Sequence, residues 1–169
     1  MSNEAPEHRL LLLGGIVDTF AAIELRAQVL LAGFALQEIV GEIMAADLNF
    51  RAIAQKLTFL ARLPGLGQAG EDLNEWTRLA VAASQRRNGV IHSLWYLQDN
   101  DDSQSGARFS LSARSKPTSA EDVFRIRPET ILELEDLLSQ LNALAVDAAP
   151  LAEALRSTGK WAGARITDP

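Results

Sequence analysis

The 169-residue chain has no cysteine and only two histidines, His8 and His92. The first absence excludes disulfides, thiolate zinc sites and a cysteine nucleophile, and it agrees with a reducing cytoplasm. Long apolar runs are missing too. Leu10 to Val17 is apolar but ends at Asp18, too short to span a bilayer. The opening Met1-Ser2-Asn3-Glu4-Ala5-Pro6-Glu7 is acidic where a signal peptide would be basic. These absences lead us to expect a soluble cytoplasmic protein with no membrane partner. Basic charge is also scarce overall: the net charge is −6, so the surface as a whole does not advertise nucleic-acid binding.

The charge is uneven, however. Residues 51–127 carry 11 basic and 8 acidic side chains, whereas the remainder carries 5 and 14. A mildly basic middle between acidic ends leaves room for a local phosphate-binding surface, and equally for ordinary solvated faces. Hydrophobic content of 47% in a chain of this length supports one domain with a real core, spanning residues 1–169. No repeat or low-complexity tract suggests a second domain.

Apolar residues recur at steps of three and four along most of the chain, the signature of amphipathic helices. Leu12, Ile16, Phe20, Ile23, Ala27, Leu30 and Leu31 predict a long first helix near 8–32. Gly14-Gly15 and Gly33 are its weak points, where it bends or admits a close neighbour. Leu36, Ile39, Val40 and Ile43 predict a shorter helix near 35–46. Asp47 or Asn49 then caps a helix whose apolar face is Phe50, Ile53, Leu57 and Leu60. Pro64-Gly65-Leu66-Gly67 stops it. From Glu71 a further stripe of Leu73, Trp76, Leu79, Ala80, Ala83, Val90, Leu94 and Leu97 predicts a helix reaching about residue 98. Residues 99–119 are a polar interruption. Within and after it, Arg108–Ser112 and Val123–Arg127 alternate as a short hairpin would. Pro128 and Glu129 open the last helix, with Ile131, Leu134, Leu138, Leu141 and Ala145 as its seam and Pro150 as a kink or end. Residues 1–7 and 159–169 read as loose termini, except that Trp161 has the character of a docking residue. The expected fold is all-α: a bundle of about five helices with a small β-hairpin between the last two.

Chemistry concentrates in Arg86-Arg87-Asn88-Gly89-Val90-Ile91-His92-Ser93-Leu94-Trp95. On a regular helix Asn88 and His92 lie four apart on nearly one face, and Arg87 lies about 140° from His92. Arg87 shares a row with Leu73, Ala80 and Leu94, an otherwise apolar seam. A charge buried there requires a partner: an internal carboxylate, a second subunit or a bound phosphate. These residue types suit RNA cleavage. Histidine exchanges protons near neutral pH, and arginine stabilises charge building on a phosphate. Asparagine orients either group, and RNA brings its own 2′-hydroxyl nucleophile, so neither a metal nor a cofactor is required. The plain alternative is a polar cluster packed under Trp95 and Tyr96. His8 receives no role, and Trp76, Trp95 and Phe50 read as core residues rather than base-stacking platforms.

Arg87-Asn88-X-X-X-His92, late on a helix of a helical domain, resembles the motif of the HEPN superfamily. That motif is an arginine, a polar residue, and a histidine after four to six intervening positions; here there are four. Ser93-Leu94-Trp95 resembles the sequence after that histidine in some bacterial members. Glu24 on the first helix and Leu48-Asn49-Phe50-Arg51 extend the likeness more loosely. The resemblance implies a homodimeric helical bundle whose two motifs form a composite, metal-independent endoribonuclease site. Arg87 and His92 would then be catalytic and Asn88 their polar helper. It also implies a toxin–antitoxin or phage-defence setting, often beside an antitoxin that is a nucleotidyltransferase. Other members keep the fold as non-catalytic modules that bind a partner protein or nucleotide.

Overall fold

In the computed structural model, residues 4–35, 45, 48–91, 94–97, 105–110 and 125–162 are described. Four helices account for most of them: α1 (Glu4–Ala32), α2 (Phe50–Leu60), α3 (Gln68–Ile91) and α4 (Ile131–Ser157). The helix expected near 35–46 falls mostly outside the described residues; of it, Ala45 is helical and buried. Three short strands, β1 (Leu94–Leu97), β2 (Ser105–Ser110) and β3 (Arg125–Thr130), form an antiparallel sheet in the order β1-β2-β3. Arg108 pairs with Arg127 and Phe109 with Ile126. Residues 111–112 and 123–124, which the sequence also placed in strands, lie outside the described residues.

Several element ends differ from expectation, beginning with residues 4–7, which read as part of a loose terminus but open α1. The third helix does not reach residue 98; it ends at Ile91, and Leu94–Leu97 is strand. Gly89 is a poor helix former and weakens the helix near its end, and the aromatic Trp95-Tyr96 suits extended backbone. Leu94 and Leu97 therefore leave the apolar stripe. The last helix does not begin at Pro128-Glu129, which belong to β3. It begins at Ile131, where Thr130 and Glu133 close a reciprocal cap. The Glu133 N–H donates to Thr130 Oγ1 at 3.2 Å, and the Thr130 N–H donates to a Glu133 carboxylate oxygen at 2.8 Å. Pro150, read as a kink or an end, lies inside that helix, which continues to Ser157.

Within the chain, contacts group into two compact units. One comprises residues 1–17 and 84–139, the other 18–83 and 140–169. In the first, α1 and α4 meet at His8, whose Nε2 lies 3.1 Å from a Glu135 carboxylate oxygen. They meet again where Leu138 packs over Gly15; a Cβ there would lie 3.3 Å from a Leu138 methyl. Among the described residues, Leu12, Ile16, Val90, Ile131, Leu134 and Leu137 are its buried apolar side chains.

In the second unit, Asn49 caps α2 by accepting the Ala52 N–H at 3.0 Å, and Phe50, Ile53 and Leu57 are buried on its inner face. Phe50 meets Phe20 of α1 edge-to-face at 5.2 Å between ring centres. The turn after α2 requires glycine at two positions, because Gly65 and Gly67 have φ of 90° and 52°. Trp76 of α3 is buried and donates its indole N–H to the Leu144 carbonyl at 2.9 Å. The chain after α4 is not loose through residue 162. Trp161 is buried and donates to the Leu30 carbonyl at 2.9 Å, and the Ala162 N–H donates to Gly33 O at 2.8 Å. Gly33 is the close approach this requires, since a Cβ there would fall inside the indole ring. The Arg156 guanidinium stacks over the same ring at 5.2 Å.

Candidate functional site

The site residues from the sequence are Arg87, Asn88 and His92. Arg87 and Asn88 stand on the last turns of α3, in the first compact unit. His92 and Ser93 lie outside the described residues. The pair that is described is in direct contact: Arg87 Nη1 donates to Asn88 Oδ1 at 2.8 Å. Asn88 is exposed and Arg87 half-buried, with its Nε fully enclosed. The arginine in the apolar row is therefore neither a solvated surface cation nor a fully sequestered one. Ala80 and Leu73, its row-mates one and two heptads earlier, are fully buried.

The neighbouring arginine has a different fate. Arg86 reaches α4 with two nitrogens. Nη1 pairs with Asp136 Oδ2 at 2.8 Å, and Nη2 donates to the Glu133 carbonyl at 2.6 Å. Glu133 is the residue that closes the cap with Thr130, so Arg86 grips a turn that is already fixed. One residue on a helix is about 100° of rotation, so the side turned to α4 carries Arg86 and the next side carries Arg87. The sequence offers two adjacent arginines, and their geometry separates a structural one from one beside the candidate helper Asn88. Sequence reasoning missed the Asp136 and Glu133 partners; the one available signal was Thr130-X-X-Glu133, the spacing of a capping box.

The looser elements of the sequence likeness are placed as follows. Glu24 is half-buried on α1, Leu48 precedes the cap Asn49, Phe50 is buried and Arg51 exposed at the opening of α2. Glu24 and this opening belong to the second unit. His8 pairs with Glu135, a surface contact between two half-exposed side chains. Among the described residues, no three His, Asp or Glu side chains converge as a metal site would need. Among them, too, no helix is long and apolar enough to cross a membrane. The second unit contains an open apolar groove of about 550 Å³, walled by Leu31, Phe34, Leu48, Phe59 and Leu60 with Lys56 at its edge.

No protein-family model, curated protein or solved structure matches the chain.

Proposed function

We propose that this chain is a HEPN-like endoribonuclease of a toxin–antitoxin or phage-defence system, cutting RNA without a metal at a composite site between two copies. The observation that carries the reading is the half-buried Arg87, in contact with Asn88, late on a helix whose same row is otherwise apolar. Arg87 supplies the fork of donors that holds a scissile phosphate and offsets the charge built up during transfer. Asn88 fixes the orientation of that fork. His92, four residues after Asn88, moves the proton to or from the 2′-hydroxyl or the leaving oxygen. A second copy completes the site by bringing its own Arg87 and His92. Exposed apolar side chains in the same unit support a partner surface: Leu10 and Leu11 on α1 and Leu132 on α4 are each about two-thirds or more exposed (68, 74 and 68%).

A second reading is a non-catalytic HEPN-like module that binds a partner protein or nucleotide. The acidic balance of the chain, −6, favours it over broad RNA binding. Purified protein incubated with structured and unstructured RNAs, with and without a chelator, separates the two. The nuclease reading expects cleavage that persists in the chelator. RNAs left whole under both conditions, together with co-purification of a partner, would establish the second reading instead.

A further inference from the structure

We propose that Asp136 is a positioning residue for the Arg87–Asn88 pair, acting through Arg86. The catalytic half of this proposal rests on the nuclease reading; the structural half does not. The end of α3 is intrinsically weak. Gly89 carries a large helix penalty, Val90 and Ile91 are stiff at χ1, and no basic side chain in the last turn complements the helix dipole. Such an end frays unless tertiary contacts hold it. Val90 and Arg86 contribute such contacts, and they lie on one face because they are four residues apart: Val90 is fully buried, and Arg86 is tied to α4.

Burial of Val90 sets the depth of the helix end but constrains its rotation poorly. Arg86 constrains rotation. Its two terminal nitrogens reach separate acceptors three residues apart on α4, the Asp136 carboxylate and the Glu133 carbonyl. The second acceptor is main chain, held in turn by the Thr130–Glu133 cap. With Arg86 held at two points, the direction of Arg87, one residue on, is set within the freedom of its own side chain. Asp136 is itself more than half exposed, so the ion pair adds little to global stability. Its contribution is angular, and small errors of aim in a phosphate clamp cost large factors in rate.

The test compares the full-length wild type with Asp136→Ala and Asp136→Glu by amide hydrogen exchange and by single-turnover cleavage of an RNA oligonucleotide. For Asp136→Ala we expect exchange at residues 86–91 to quicken about tenfold with little change in melting temperature. We expect the cleavage rate at saturating RNA to fall on the order of tenfold, with half-saturation within about twofold of wild type. Asp136→Glu, which keeps the carboxylate, restores both. Unchanged exchange at 86–91 would overturn the clamp. Quickened exchange with an unchanged cleavage rate would overturn its positioning role. If the wild type cuts no RNA, the nuclease reading fails, and the exchange result alone decides whether Asp136 holds the end of α3.

Discussion

Arg86 and Arg87 are adjacent, chemically identical and both half-buried, yet the partners shown for them differ: α4 for Arg86 and Asn88 for Arg87. Arg86→Ala should cost about 1 kcal/mol of stability, the range for a half-exposed charged pair with one added hydrogen bond to a carbonyl. Denaturant titration reads that loss directly. The heptad row singles out Arg87, but the partners of Arg86 are not legible, because Asp136 and Glu133 stand about fifty residues away and only the packing of α4 brings them near. Trp161 is the opposite case. Its docking was legible from an aromatic set in an otherwise polar tail, but its seat on Gly33 was not, since that depends on where α1 ends. Trp161→Ala should lower stability by about 3 kcal/mol. Gly33→Ala should also destabilise, by about 1–3 kcal/mol, because the added methyl displaces the indole. Chemical denaturation of both variants checks this, and a Gly33→Ala protein as stable as wild type would contradict the seat.

Apolar spacing marks the helices of this chain more sharply than local chemistry marks their ends. Spacing placed α1 and α2 well, because one face of each is buried at nearly every third or fourth position. Asn49 was one of two candidate caps, and the Ala52 N–H identifies it. Asn49→Ala and Thr130→Ala should each cost about 1 kcal/mol by thermal or chemical unfolding. The ends of α3 and α4 were misjudged for one reason. Leu94 and Leu97 continue the helical spacing, and Pro128-Glu129 suits a helix start, so local patterns favoured helix where the chain pairs as strand. Within α3, the exposed Glu75 has its pKa lowered, chiefly by its hydrogen bonds from Arg78 and then by that residue's charge; Arg78 is raised in return. A lowered carboxylate contributes stability above its unfolded pKa and loses it as pH falls through the folded one. Exposure keeps that contribution small, so Glu75→Gln should leave the neutral-pH melting curve nearly in place and flatten only its acid side.

At the scale of the whole molecule, the proposed chemistry requires two copies, because one Arg87–Asn88 pair and one His92 make half of the composite site. Sedimentation or light scattering should therefore report the mass of two 18.4 kDa chains. Replacing Leu11 and Leu132 with Glu should weaken the dimer if those exposed side chains meet a partner. A monomer at every concentration would remove the composite site. The predominantly helical architecture was legible in the sequence because periodicity reports burial. The grouping of contacts into two compact units follows no break in that pattern, since α1, α3 and α4 each contribute to both. The most direct test of the central claim is cleavage of one RNA oligonucleotide, in chelator, by wild-type, Arg87→Ala and His92→Ala proteins of equal stability and equal mass in solution. The account predicts cleavage by the wild type and a fall of at least about a hundredfold in each variant, as expected when a phosphate clamp or a proton-transfer group is removed. Equal cleavage by the His92→Ala protein would contradict it.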